Sequence, residues 1–403
     1  MFLNGRKVLI GISGSIAAYK IPMLVRLLVK QGCTVRVVMT HAATDFVSPL
    51  TLSTLTDHSV EVDFFDEKAP EKGWNNHVEM GLWADLMIIA PVSSNTLAKM
   101  ATGQSDNLLL ATFMSAKCPV YFAPAMDLDM YKNGATAENI QTLIKRGCLC
   151  IPSESGELAS GLVGEGRMAE PENILSFVLE HLKSTSPLRD KKVMVNAGPT
   201  REAIDPVRFI GNHASGKMGY ALAAEAARLG AEVHLILGPT DIPFDFSGIH
   251  VTRVQSAAEM YEACAQVFPS ADIAIFSAAV ADYRPVSISG QKIKKSSDTM
   301  EIKLEPTVDI LKTLGNKKRD GQMVVGFALE TENLKENATK KLHTKNADFI
   351  VSNIAGSGTG FAHDTNEVTV LGQNGSEQHF PLTEKTTLAK ALWIYFTKQL
   401  AKA

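Results

Sequence analysis

Residues 211–218 read Gly-Asn-His-Ala-Ser-Gly-Lys-Met, the spacing of a phosphate-cradling P-loop. Such a loop needs G-x-x-x-x-G-K followed by a Ser or Thr whose hydroxyl holds Mg²⁺. Met218 stands at that place. Either the chain is an unusual NTPase, or its Gly-Lys turn serves a different nucleotide chemistry. A P-loop also follows its strand directly. Here Ala197-Gly-Pro-Thr-Arg-Glu-Ala-Ile-Asp-Pro-Val-Arg-Phe-Ile intervenes between a strand ending near Asn196 and Gly211. A connection that long is a functional segment in its own right. Further on, Ala278-Ala-Val-Ala-Asp-Tyr-Arg-Pro closes an apolar run with Asp282 at its tip, and Lys292-Ile-Lys-Lys follows beyond Pro285 and Gly290. A short basic run is either a solvated face or an anion clamp. Lys341 and Lys345 share one helix face at i,i+4, mildly unfavourable unless an anion lies between them.

Gly11-Ile-Ser-Gly-Ser-Ile-Ala-Ala follows a strand and opens a helix. Backbone N–H groups and the positive end of a helix dipole meet at such a turn, which suits a phosphate. The pattern is not G-x-G-x-x-G, so ordinary NAD binding is disfavoured. Thr40-His41 and Pro91-Val-Ser-Ser-Asn-Thr end two further strands. Their hydroxyl and amide groups either hold a phosphate and the edge of a ring, or cap the following helices. The five cysteines are scattered, and Cys148 and Cys150 fit neither a zinc knuckle nor a CxxC pair. They read as reduced thiols of a cytoplasmic protein.

Two similar stretches must position these groups. A strand at Lys7–Ile12, a helix from about Ile16 to Lys30 and a strand at Thr34–Met39 form the first. A strand from Lys192, a helix from about Lys217 to Leu229 and a strand at Glu232–Leu237 form the second. In both, a glycine stops the helix before a strand rich in β-branched residues. Ala84-Asp85 and Ala271-Asp272 then lead apolar runs of the buried parallel type, each ending in small polar residues. Ligands of open α/β sheets bind at such carboxyl ends. The expected fold is α/β, with two Rossmann-like doubly wound domains, residues 1–190 and 191–403. The cut near Asp190 falls in a polar linker, Lys183–Lys191, after an amphipathic helix at Pro171–Leu182. Glu367–Leu371 and Gln378–Leu382 read as a hairpin, and Thr383–Ala401 as a closing helix. A composition 45% hydrophobic with a formal charge of −3 offers no general attraction to nucleic acid or anionic membrane. Neither a signal peptide nor a membrane-spanning run of about 18 apolar residues is legible.

Residues 5–180 resemble a known family. The segments that carry the resemblance are Gly14-Ser15, Asn76-His77 before Leu82-Trp83-Ala84-Asp85, Ala90-Pro91 with Asn95-Thr96, Ala123-Pro124-Ala125-Met126, and Gly156 with Gly164-Glu-Gly-Arg-Met. They are similar to the flavin-dependent cysteine decarboxylases, phosphopantothenoylcysteine decarboxylase above all. The resemblance implies a flavodoxin-like flavoprotein unit with FMN held by Gly14, Ser15, Thr40, Ser93 and Asn95. It also implies His77 as base or electrostatic partner, Asp127 and Ser160 at catalytic positions, and Arg167 against substrate. An amino acid without a β-keto group has no sink for the carbanion left by CO₂. Oxidation of the thiol end to a thioaldehyde creates one, and the resulting enethiolate is then reduced and protonated. Two positions depart from the family's pattern. Asp127 stands where an Asn holds the substrate carboxylate, and Ser160 where a flap Cys donates a proton. A thiol with pKa near ~8.5 is a workable acid; an alcohol is not. Asp127 repels a substrate carboxylate unless protonated or paired. Either Asp127 works protonated with a water held by Ser160, or this unit is impaired. Gly156, Gly161, Gly164, Gly166 and Arg167 keep the flap pattern and favour an active variant.

The second unit resembles the phosphopantothenate–cysteine ligases across residues 190–400. Gly198-Pro-Thr-Arg-Glu, Asp205-Pro-Val-Arg208, Asn212-His-Ala-Ser-Gly-Lys-Met-Gly219, Ala278-Ala-Val-Ala-Asp282, Lys292-Ile-Lys-Lys, Gly326-Phe327 and Lys341 to Lys345-Asn346 carry it. The implied chemistry joins a carboxylate to CMP from CTP, after which the amine of cysteine attacks the acyl-cytidylate. Cations and amides stabilise the charge that builds at phosphorus and at the carbonyl oxygen. The resemblance implies Lys292 over the triphosphate, and Asn212 with Arg208 on the acyl group and its phosphopantothenate. It further implies a nucleotide pocket of Ser277, Ala278, Asp282, Val308, Asp309, Ile310, Leu311 and Phe327, with Lys341 and Lys345 meeting phosphates. Mg²⁺ is expected on the triphosphate, with no metal site built by protein ligands. Lys217 drops to a helix-start role.

Together the units resemble the bifunctional coenzyme A biosynthesis family. That implies small-molecule partners (phosphopantothenate, cysteine and CTP) and a homo-oligomer in which trimers and dimers build a dodecamer. Two other readings stay open here: a ligase with a regulatory flavin-binding module, and a P-loop phosphotransferase.

Overall fold

The computed structural model describes residues 2–65, 73–158, 160–294, 299–330, 334–354 and 364–400. The chain divides into two compact units, Phe2–Ser184 and Thr185–Ala403. The division lies just upstream of Asp190 because Leu188 is fully buried in the second unit's core, and its N–H bonds Leu229 O at 3.1 Å.

The first unit forms strands β1 (Lys7–Ile12), β2 (Thr34–Met39), β3 (Val60–Glu61), β4 (Leu86–Val92), β5 (Val120–Pro124) and β6 (Leu149–Cys150). They make one parallel sheet ordered β3-β2-β1-β4-β5-β6. That is the Rossmann order, distinct from the 2-1-3-4-5 order of flavodoxin sheets. Helices cover both faces, so central strands are apolar on both sides. Ile10, Val37 and Ile88 pack with Leu24 and Ile174 on one face. Leu9, Met87 and Ile89 pack with Leu97 and Leu109 on the other. The helix expected from Ile16 is interrupted. A 3₁₀ turn at Ile16–Lys20 hands over to an α-helix at Ile21–Lys30, with Pro22 in its first turn, where the missing N–H is harmless. After β6 a hairpin of β7 (Glu154–Glu157) and β8 (Val163–Arg167) leaves the sheet.

The second unit continues with β9 (Lys192–Ala197), β10 (Arg201–Ala203), β11 (Phe209–Gly211), β12 (Glu232–Leu237), β13 (Ile249–Arg253), β14 (Ile273–Phe276), β15 (Tyr283–Pro285), β16 (Leu304–Pro306), β17 (Met323–Glu330), β18 (Phe349–Ile354), β19 (Thr365–Gly372) and β20 (Glu377–Glu384). Its main sheet runs β13-β12-β9-β14-β17-β18-β19-β20. The first six strands are parallel and repeat the order of the first unit; β19 and β20 add the antiparallel hairpin. The expected closing helix runs Lys385–Leu400, and Trp393 Nε1 donates to Leu222 O at 2.9 Å. Position 401 lies outside the described residues. Two antiparallel ribbons, β10–β11 and β15–β16, stand apart from the main sheet. The sequence echo has one geometric cause. Asp85 takes the N–H of Lys7 at 2.9 Å, and Asp272 takes that of Lys192 at 2.8 Å, so each carboxylate closes the start of its central strand.

Candidate active sites

In the first unit, strand order reverses between β1 and β4, the place where open α/β sheets leave a crevice. Ser13 ties the two strand ends together. Its Oγ donates to Pro91 O and accepts from Ser93 N, both at 2.8 Å. A Cβ on Gly14 would stand 2.8 Å from that of Ala42, so only glycine lets these turns meet. Ser15 caps the 3₁₀ turn, accepting from Ala17 N at 3.3 Å. Ser93 caps the helix Ser94–Thr102, in whose first turn Asn95 is exposed. Thr40 follows β2, its hydroxyl oxygen buried and without a hydrogen-bond partner among the described residues. An unsatisfied buried hydroxyl is costly unless a ligand completes it. Hydroxyls and helix starts converging on one crevice, one hydroxyl still unsatisfied, fit the phosphate and polar edge of FMN.

A cavity of about 570 Å³ opens beside Ser15, bounded by Tyr19, Lys20, Asp127, Leu158 and Arg167. That is room for a substrate of coenzyme-fragment size. Asp127 precedes the helix Leu128–Lys132 without capping it. The flap strand β8 lies on this segment: Met126 N donates to Gly166 O at 3.0 Å. Gly166 has φ +128°, and a Cβ there would come within 2.5 Å of Met126 O. Behind the cavity wall, Glu170 accepts from Lys20 Nζ at 2.9 Å and Arg167 Nη2 at 2.6 Å. Lys20 is buried and also donates to Met168 O at 2.9 Å. Lys20 first, then Arg167, hold the Glu170 carboxyl below its ordinary value. Two cations sharing one carboxylate leave this wall positive, which favours an anionic substrate. Ser13, Lys20 and Glu170 escaped the sequence reading, since Ser and Lys near a helix start look like caps and surface charge.

His77 opens the helix His77–Trp83, behind the cap made by Asn76. Its ring meets Phe64 and Trp74 edge-on at centroid distances of 6.0 and 5.4 Å, and Nδ1 is buried with no hydrogen-bond partner among the described residues. Within one chain His77 does not line the cavity, nor do Thr40, Ser93, Asn95 and Ser160. Ser160 is exposed in the turn joining β7 to β8. The cysteines are free and untuned for attack: burial pushes Cys33 and Cys264 up to about 12, and Cys118 and Cys150 up to about 11.

In the second unit Gly211 belongs to a ribbon, paired with Arg201. Gly216, at φ +79°, precedes the helix Lys217–Arg228, and Lys217 Nζ pairs with Asp364. Ribbon, bend and helix start therefore replace the single wrapping turn of a P-loop. Asn212 Nδ2 donates to Ala279 O at 3.2 Å and Val280 O at 3.0 Å. Buried Asn196 accepts from Ser277 N at 2.9 Å and Ala278 N at 3.0 Å, and Thr200 Oγ1 accepts from Ala281 N at 3.0 Å. The loop 277–281 is thus held by three side chains, two of which (Asn196 and Thr200) carried no sequence signal beyond their motif. Asn212 also lines a cavity of about 470 Å³ with Arg201, Phe209, His213 and Asp241. The Arg201 guanidinium stacks 4.8 Å from the Phe209 ring centroid.

The remaining predicted groups lie outside that cavity. Asp282 is exposed, and its carbonyl accepts from Thr307 N at 2.9 Å. Asp309 caps the helix Ile310–Gly315 and pairs with Lys345 at 3.2 Å. Val308 is exposed, whereas Ile310 and Leu311 point into the core. Phe327 on β17 and Lys341 on the helix Leu334–Thr344 are half-buried. Lys292 is exposed, and Arg208 reaches its neighbour, donating to Ile293 O at 2.8 Å. Lys295 of the basic run lies outside the described residues. Among the described residues no group of three or more His, Cys, Asp or Glu could hold a metal ion, and no helix is long and apolar enough to cross a membrane.

Residues 2–183 match the flavoprotein family, and residues 188–399 match the DNA/pantothenate metabolism flavoprotein C-terminal domain family. A cysteine/cysteine sulfinic acid decarboxylase from an unknown prokaryotic organism is 50% identical over 349 residues, 85% of this chain and 96% of that one. The coenzyme A biosynthesis bifunctional protein CoaBC of Bacillus subtilis is 46% identical over 387 residues, 95% of this chain and 94% of that one. Its namesake from Vibrio cholerae is 43% identical over 401 residues, 99% of both chains.

Proposed function

This chain belongs to the family of bifunctional coenzyme A biosynthesis proteins, and from that footing we propose how its two units divide the work. The C-terminal unit ligates 4'-phosphopantothenate to cysteine at the expense of CTP, through an acyl-cytidylate. The N-terminal unit decarboxylates the resulting 4'-phosphopantothenoylcysteine to 4'-phosphopantetheine. The observation that carries the reading is the match to bifunctional relatives through both units, 46% identity across 95% of this chain.

In the first unit Ser15, Thr40 and Ser93 hold FMN, which supplies the two-electron redox chemistry that decarboxylation of a cysteine residue requires. Arg167, backed by Lys20, draws the anionic substrate into the cavity. Asp127 faces the substrate carboxylate, His77 acts as base or electrostatic partner, and Ser160 holds a water that protonates the product. Ile16 and Tyr19 stand beside the cavity 56% and 60% exposed, as expected of a wall that a second copy completes. The protein accordingly works as a homo-oligomer of trimers and dimers, with His77 brought in across a subunit boundary.

In the second unit Asn212 binds the acyl carbonyl, exchanging one of its bonds to Ala279 and Val280 for the ligand, and Lys292 neutralises the triphosphate and the developing acyl-cytidylate. Asp282, Phe327 and the Ser277-Ala278 backbone shape the nucleotide pocket around CTP. Lys341 and Lys345 meet phosphate oxygens, Lys345 exchanging Asp309 for the ligand. Mg²⁺ arrives on the triphosphate, whose oxygens and waters supply most of its ligands.

The test is one assay with phosphopantothenate, CTP and cysteine, following CMP, pyrophosphate and CO₂ separately. Equal yields of all three are expected, with CTP preferred to ATP. CMP and pyrophosphate without CO₂ would leave the first unit a flavin-binding module. The 50% identical relative motivates one further arm. CO₂ from free cysteine without CTP would make the amino acid itself the substrate of the first unit.

A further inference from the structure

Asp205 is only 3% exposed, yet its carboxylate accepts five hydrogen bonds. Oδ1 takes Val207 N and Arg208 N at 2.8 Å each. Oδ2 takes Arg208 Nε at 3.0 Å, Arg208 Nη2 at 2.6 Å and Ile293 N at 3.2 Å. Arg208 Nη2 also donates to Ile293 O at 2.8 Å. The backbone of Ile293 is therefore gripped on both its N–H and its C=O by one acid–base pair. A second stitch, Ser289 N to Ile204 O at 3.0 Å, fixes the same two segments together. The bonds from Arg208 hold the Asp205 carboxyl well below the usual carboxylate range.

An ion pair with one partner buried and the other exposed is weak evidence for stability, because desolvation of the buried charge offsets much of the attraction. Direction is what this pair adds: its spare bonds converge on the one residue that follows Lys292. We propose that Asp205 is a positioning residue for ligation, clamping Ile293 through Arg208 so that Lys292 reaches the reacting phosphate. The inference rests on the role of Lys292 given above. Asp205 itself touches no substrate, so its loss is felt in kcat.

The full-length chain carrying Asp205→Asn tests this. A misplacement of about 1 Å costs up to about 100-fold, so kcat for pyrophosphate release is expected to fall between about 10- and 100-fold with KM for CTP within about threefold. Amide exchange across residues 289–294 should accelerate, and CO₂ release from supplied phosphopantothenoylcysteine should stay at its normal rate. Normal kcat, or a change confined to KM, overturns the proposal. Lys292→Gln run in parallel separates the two claims. Normal ligation by Lys292→Gln removes the role of Lys292 and this proposal with it. Loss in Lys292→Gln with normal kcat in Asp205→Asn removes the clamp alone. Should Asp205→Asn fail to fold, Asp205→Glu keeps the charge and displaces the carboxylate, with the same kcat loss expected. Misfolding of both assigns Asp205 to the fold and overturns the proposal.

Discussion

The two units build the same parallel sheet and open it differently. In the first, the ends of β1 and β4 are joined by a serine hydroxyl, which makes one bond to each side of Pro91-Val92-Ser93 and leaves Thr40 beside it unsatisfied. In the second, the equivalent ends are joined by Asn196, whose carboxamide oxygen takes two consecutive backbone N–H groups. The loop after β14 is thereby tied to the end of β9, and the proposed ligand-binding residues Arg208, Asn212, Asp282 and Lys292 sit in or beside the ribbons after β9 and β14. The first unit sends its excursion out after β6, as the flap. One scaffold therefore carries its excursions at different strand ends: after β6 in the first unit, and after β9 and β14 in the second.

The sharpest way to break this comparison is to disable one unit and watch the other. In its proposed role Lys292 faces the charge of acyl-cytidylate formation, so with Lys292→Gln pyrophosphate release should fall by at least about 100-fold. The visible flavin spectrum and CO₂ release from supplied phosphopantothenoylcysteine should not change; a bleached spectrum would mean the units are not separable. Asn212→Asp follows. It replaces a donor to two carbonyls with a charge facing them and the anionic intermediate, and ligation should drop roughly 10- to 100-fold, more than the near-identical size of the side chains suggests. Measured CMP yields decide it.

Gly166→Ala probes the other unit. A non-glycine residue at φ +128°, pressed on Met126 O, stores about 1–3 kcal/mol of strain and lifts β8 off its support. CO₂ release should fall about tenfold while pyrophosphate release is unaffected. The smallest effect concerns pH. The carboxyl of Glu170 lies below its ordinary value of 4.5 in the folded chain, so its stabilisation is present above that value and is lost as pH falls through the lowered one. Glu170→Gln should lower the Tm of the N-terminal unit by no more than about 2 °C at neutral pH, and the difference should vanish in acid, as melting curves across that range would reveal.

Much of the scaffold was legible because its signals are local. β1, β2 and β12 begin and end where alternating β-branched residues and flanking glycines put them. The repeated Ala-Asp before an apolar run was readable too, although the bond from each Asp to the first strand was not. Pro22 was the visible cue for the interrupted helix, yet periodicity ran through it. The site residues gathered least well. Lys20 and Glu170 are 150 positions apart, and Asp205 and Ile293 are 88 apart. A lysine, an aspartate or an isoleucine at those distances carries no pattern that selects a partner.

By itself the sequence determined where several of the main strands and helices form, that the chain is built twice on one plan, and which motifs stand at the strand ends. These follow from side-chain spacing within a few residues, and the backbone's narrow menu turns spacing into structure. Only the tertiary structure decided that Lys217 pairs with Asp364, and that Arg167 and Lys20 share a carboxylate. It also decided that Arg208 grips the peptide after Lys292. Those pairings depend on how crossovers bring distant strand ends together, and an ion pair gains its energy from closeness and burial, neither of which spacing along the chain encodes.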